Sequence, residues 1–209
     1  MLPLQIQRRL ANPSKLERDF MRFLELANAP VDASKTIAES VLYDAKLVTG
    51  QSRVSFFTGE FNPALSNLEG SYIRPSSEHF LIYGIIGYFT PKGVASADAT
   101  NGKITWSKGF NSAGINDDKS PILPIQYFNV DVTVNSVQLL KNVPSQDFDA
   151  EVKTTSEGGG LLLNQPILWQ GQTQLELVVT TSDPTLTFPG TIGEEEYYLR
   201  FDLLGLQLI

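Results

Sequence analysis

The chain of 209 residues has no cysteine and a single histidine, His79. Without cysteine there is no disulfide, no thiolate nucleophile and no cysteine metal site. A lone imidazole cannot make a multi-histidine metal centre, and a Ser-His-Asp site would have to be built around His79. Ser76, Ser77 and Glu78 lie beside it by sequence only. In a strand, Glu78 and Phe80 point to the sheet face opposite His79, so a structural or surface role is expected for the histidine. No apolar run approaches the roughly 20 residues of a membrane-spanning helix. The longest, Phe80–Phe89, is too short and holds two glycines. The first residues show no basic stretch followed by an apolar one, so no secretory leader is expected.

Positive charge is also in short supply. Lys plus Arg is 16 against 23 for Asp plus Glu, a net charge of −7. A compact acidic protein is a poor general binder of nucleic acid. The balance is uneven, however. Residues 1–50 hold seven basic and six acidic side chains, and residues 51–209 hold nine and seventeen. Five of the basic residues (Arg8, Arg9, Lys15, Arg18, Arg22) fall within the first 22. Either this is ordinary solubilisation of a helix, or the segment makes a weak contact with nucleic acid or a membrane surface.

Motifs that would carry chemistry are sparse. Gly158-Gly159-Gly160 is followed by Leu161-Leu162-Leu163-Asn164. It is therefore neither a P-loop nor a dinucleotide fingerprint, and a flexible or tight connection is expected. The stretch Asn111–Asp118 offers oxygens around a glycine, with Asp98 and Asn101 nearby in sequence, but its spacing matches no EF-hand. Solvated acidic loops are expected there and at Glu194-Glu195-Glu196. Paired carboxylates for glycoside hydrolysis would draw on residues such as Asp131 and Glu176, which solvent exposure explains equally well. Trp106 and Trp169, with Tyr72, are the candidate stacking platforms of a carbohydrate- or receptor-binding module. No cofactor, no metal, no catalytic residue and no small-molecule substrate are expected.

What the chain does have is strand after strand. Residues 1–12 read as an extended arm, with Leu2, Leu4 and Ile6 alternating with Pro3 and Gln5. Ser14–Ala29 reads as a helix: Ser14 and Glu17 form a capping-box pattern, and Leu16, Phe20, Phe23, Leu24 and Ala27 share a face. A weaker helix is expected over Ala33–Ala45, from Ile37, Val41 and Leu42. The β region is expected to open at Arg53–Thr58. Glu78–Phe89 is the strongest strand. Strict alternation puts Phe80, Ile82, Ile86 and Tyr88 on one face and Leu81, Tyr83, Ile85 and Phe89 on the other. Both faces are apolar, so the strand is covered on both sides or faces a neighbouring subunit.

A short strand is expected at Gly102–Ser107. Phe128, Val130, Val132 and Val134 alternate with polar residues until a turn or bulge at Asn135-Ser136. Asp147–Lys153, Leu161–Leu163, Ile167–Trp169 and Gln172–Thr181 are further strands. Glu196–Ile209 closes the chain, with Leu199, Phe201 and Leu203 on one face and a phase shift at Gly205. With Leu175, Leu177 and Val179, the residues of Phe128–Val134, Leu199 and Phe201 are expected in one shared core. Long connections without intervening helices argue against βαβ repeats.

The fold class expected is all-β: a single jelly-roll-like antiparallel sandwich preceded by an N-terminal arm and one or two short helices. The arm and helical segment would be residues 1–45, and the β-domain residues 46–209.

The run Phe56–Phe89, with its short strand, a loop holding Asn67, Leu68 and Gly70, an extended Tyr72–Pro75 and a long strand, resembles the early part of jelly-roll capsid proteins. The resemblance is to those of tailless, often membrane-containing, bacterial viruses. It implies a virion-located capsid or capsid-associated subunit, self-assembling with other copies and other virion proteins, without catalysis. The assembly interface would then be built by Leu4, Ile6, Phe20, Phe23, Leu81, Tyr83 and Ile85. The alternative is the carbohydrate- or receptor-binding sandwich, and less favoured still is a glycoside hydrolase-like enzyme.

Overall fold

A computed structural model of the chain shows eight strands in two four-stranded antiparallel sheets, in the order β1-β8-β3-β6 and β2-β7-β4-β5. The strands are β1 (Ile37–Leu47), β2 (Arg53–Phe56), β3 (Phe80–Phe89), β4 (Phe128–Val134), β5 (Val137–Pro144), β6 (Leu161–Trp169), β7 (Leu175–Thr181) and β8 (Tyr198–Leu208). Helix α1 (Pro13–Leu26) precedes them. The structure describes residues 13–31, 36–68, 72–90, 94–95, 98–99, 101–106, 128–148, 160–183, 185–190 and 192–208. Leu4, Ile6, the Asn111–Asp118 acidic stretch and Gly158-Gly159 lie outside them.

The shared core is the one that alternation encodes. Phe128, Val130, Val132, Val134, Leu175, Leu177, Val179, Leu199 and Phe201 all belong to the cluster between the sheets. Burial strictly alternates along β4. The turn at Asn135-Ser136 has φ of 49° and 66°, the doubly positive geometry of a two-residue hairpin whose twist matches the flanking strands.

The second expected helix is not there: Ile37–Leu47 is β1, an edge strand that pairs along its whole length with β8, from Ile37↔Leu208 to Leu47↔Tyr198. Its inward face carries Asp44 and Lys46 as well as Leu42, which hides the strand period. Tertiary pairing outweighs the helical propensity, a weak prior in any case. The sandwich thus begins at Ile37, before residue 46.

In β3 the expected faces hold only as far as Ile82. A register shift between Ile82 and Gly84 interrupts both of its ladders. Phe80 and Ile82 enter the main core, and beyond the bulge Ile85 and Phe89 do so as well. Ile86 moves to the outer face with Leu204. One inserted residue reverses the side-chain phase downstream.

In β8 the reverse holds. The strand keeps its phase through Gly205, yet its apolar residues change side. Leu199, Phe201 and Leu203 face the core, whereas Leu206 and Leu208 pack outward under α1 with Phe20, Leu24, Leu81 and Tyr83. Gly205 stays on the core side, where a Cβ would run into the Phe80 ring and the Leu81 carbonyl oxygen.

Two further expectations fail. Gly102–Trp106 is irregular rather than strand. Ser145–Phe148 is a 3-10 turn, so Asp147 starts no strand, and residues 149–153 lie outside the described residues.

Candidate functional site

The residues expected at an assembly interface are mostly inside the chain. Phe20, Leu81 and Tyr83 are 0%, 0% and 2% exposed beneath α1, and Ile85 is 0% exposed in the main core. They have no surface left to give a neighbour: Ile85 faces sheet β2-β7-β4-β5, and Leu81 and Tyr83 pack with Phe20 of the chain's own helix. Phe23 is half-buried against the same helix-side cluster. Of the tryptophans, Trp169 is fully buried, its indole N–H donating to the Thr173 carbonyl oxygen at 3.0 Å, so it is no stacking platform. Trp106 is half-buried.

Three polar clusters draw partners from distant parts of the chain, which no local pattern reveals. The first is at the edge of β1. Asp44 is wholly buried. It accepts the Phe57 N–H at 2.7 Å and the Tyr72 hydroxyl at 2.8 Å, with Lys46 Nζ 3.7 Å away. Lys46 also donates to the Tyr72 hydroxyl and to the Thr58 carbonyl oxygen. Burial raises the Asp44 carboxyl above its ordinary 3.8, opposed by the Phe57 amide and by Lys46, and burial beside Asp44 raises Tyr72. A buried carboxylate with a shifted pKa is a common mark of catalysis. Here each carboxylate oxygen is taken by an intramolecular donor, and the arrangement latches Phe57, at φ 61°, and Tyr72 onto the sheet.

The second cluster lies on the outer face of β8. Arg200 grips Asp202 with two bonds, Nε–Oδ1 at 2.6 Å and Nη2–Oδ2 at 3.0 Å. The guanidinium stacks 3.8 Å from the Tyr43 ring centroid and lies 5.6 Å from Tyr88 and 5.9 Å from Trp106. Burial raises the Asp202 carboxyl despite Arg200, and burial beside Asp202 pushes the Tyr88 hydroxyl up to about 12. Three aromatic rings around a planar ion pair can bind a ligand with one apolar face and several hydroxyls.

The third is His79, which is fully buried. Its Nδ1 accepts the Gly171 N–H at 3.1 Å and its Nε2 lies 2.7 Å from the Pro30 carbonyl oxygen. Those partners place the ring proton on Nε2, pinning the residues after α1 to the β6–β7 turn. A Cβ at Gly171 would collide with the Pro75 carbonyl oxygen, so only glycine brings this amide to the imidazole. The role is structural. Arg74 lies nearby, buried over the Phe80 and Trp169 rings and 3.4 Å from Glu78. Among the described residues no three His, Asp or Glu side chains come together as metal ligands.

One surface feature among the described residues is mainly apolar. Where edge strands β5 and β6 meet the end of α1, a groove of about 720 Å³ is lined by Leu26, Leu139, Leu140, Leu161, Leu162 and Ile167 among others. None of its described lining residues is charged. Leu26 is 73% and Leu139 45% exposed. Scattered exposed leucines need no explanation, but a contiguous apolar groove marks an interaction surface.

Comparison with protein-family models finds no match, and comparison with curated proteins finds none either.

Proposed function

We propose that the chain is a viral structural protein. In this reading it is a single jelly-roll capsid or capsid-associated subunit that assembles through its N-terminal arm and β-body and catalyses nothing. The pairing order carries the reading. β1 neighbours β8, β2 neighbours β7, β3 neighbours β6 and β4 neighbours β5. Each pair of strand numbers sums to nine, as happens when one long antiparallel hairpin is rolled into two sheets, the jelly roll of capsid, lectin and cupin domains.

Fold alone does not choose among these, so the residues must. The sole histidine is held by backbone groups, Trp169 is in the core, and the described lining of the leucine groove is uncharged and mainly apolar, which suits self-association. The basic arm would then meet nucleic acid or a membrane surface inside a particle. The test is mass photometry and negative-stain microscopy of the full-length chain. Closed oligomers, trimeric or pentameric, are expected. A monomer at every concentration, alone and in lysate of its source, overturns the reading.

The Arg200 cluster favours a second reading, a carbohydrate-binding module. Trp106 would be its reporter, since Trp169 is shielded. Sugar-induced fluorescence changes that vanish in Trp106→Phe would support it. A blank glycan array with unchanged emission would remove it.

A further inference from the structure

We propose that residues 1–7 of a neighbouring copy dock in the leucine groove between β5, β6 and the C-terminal end of α1. The inference rests on the assembly reading above and names the surface it uses.

The groove restricts its occupant by chemistry. With no charged residue in its described lining, it would desolvate an ion placed against that lining without a partner, which is costly. Apolar contacts come from Leu26, Leu139, Leu161 and Leu162, and amides from Asn164, Gln165 and Gln170 at the same groove. The fitting segment is therefore uncharged in its side chains, apolar at alternate positions and amide-bearing between them. Residues 1–7, MLPLQIQ, read that way, and Arg8 and Arg9 follow at once. The connection at 149–160 leads directly into β6 but reads DAEVKTTSEGGG, which is charged and glycine-rich. It fits the groove poorly.

Position and reach agree. β5 and β6 end their respective sheets, and among the described residues no strand pairs with either on its outer side. Helix α1 has 14 residues, so Pro13 lies about 21 Å from the groove end of the helix. Residues 7–12 span about 20 Å when extended. An extended arm of that length is long enough to carry the apolar heptad to a groove on a neighbouring subunit.

The experiment places a photo-cross-linking amino acid at Leu4 of the full-length chain and assembles a mixture of ¹⁴N- and ¹⁵N-labelled protein. Cross-links are expected to peptides containing Leu139 or Leu161–Leu168, with one light and one heavy partner. Leu139→Glu and Leu26→Glu, both at exposed positions, should remove the cross-link and the oligomer as fully as deletion of residues 1–7 does. The double change should do no more. Cross-links to another surface, cross-links only within one chain, or oligomers that survive Leu139→Glu but not the deletion would overturn the docking site and leave the assembly reading intact. A wild-type chain that neither cross-links nor assembles would overturn both.

Discussion

The two edges of sheet β1-β8-β3-β6 are treated in opposite ways. Along β1, the edge is closed from outside. The Asn67 carboxamide accepts the Tyr43 N–H and donates to the Val41 carbonyl oxygen, both at 2.7 Å. Ser66 bonds the Tyr43 carbonyl oxygen, and the Leu65 carbonyl accepts the Ala45 N–H. Three consecutive loop residues act as a ninth strand in miniature. Beyond the end of β6, the Gln170 carboxamide donates to the Ala27 carbonyl oxygen just after α1 at 3.5 Å, and leucines line the gap beside the strand. An edge strand left open is a template for pairing, so a protein blunts the edges it does not use. Among the described residues, the contrast is between an edge that the chain itself caps and one that it does not.

The comparison breaks first at Asp44, the buried anchor of the loop that seals β1. Asp44→Ala leaves the Phe57 amide and the Tyr72 hydroxyl without their acceptor and Lys46 without its counter-ion, and should cost about 3–5 kcal/mol in urea unfolding. Asp44→Asn sharpens the point through pH. The folded-state value of Asp44 is raised above the unfolded 3.8, chiefly by burial. The stabilisation this gives is complete below the unfolded value and is lost as pH rises through the folded one. From neutral toward about pH 4 the wild type should therefore gain stability relative to Asp44→Asn. The opposite slope in paired thermal melts would mean that the Lys46 and amide contacts outweigh burial.

Asn67→Ala should cost less, about 1–2 kcal/mol, because water can reach the freed edge groups. Its clearer signature is concentration-dependent association through β1, absent from the wild type at that edge, read by light scattering. Asp131→Ala tests an edge of the other sheet. Its carboxylate accepts the Asn142 N–H at 2.7 Å, at a register shift where Asn142 has φ 51°. A loss of about 1 kcal/mol is expected, more than for a merely solvated acid. Smallest of all, Leu26→Glu at the open edge should leave the melting of the monomer within about 0.5 kcal/mol. A larger loss would place Leu26 in the fold rather than on a surface held for a partner.

How much could be read in advance follows from where each residue's partners come from. β4, β7 and the first half of β8 present one apolar face to one neighbour, so period-two alternation found them and the hairpin at Asn135-Ser136 as well. β1 was missed because its inward Asp44 and Lys46 take partners from the 57–72 loop. In β3 and β8 the apolar pattern was visible but its sides were misassigned, by a bulge in one and by a covering helix in the other. The Arg200–Asp202 pair joins residues two apart on one strand, but the rings around it come from β1, β3 and residue 106. No local signal announces such a meeting. The apolar second face of β3 could be read only as covered or as awaiting a subunit, and α1 decides for cover.

The sequence by itself determined an all-β chain with a helix before it and the core residues of the central strands. These depend on composition and local period, which any fold of the chain must respect. Only the tertiary structure decided which apolar faces meet each other, which carboxylates are buried and which edge stays open. Those depend on pairings between residues distant in the chain, and there one bulge or one docked helix exchanges inside for outside.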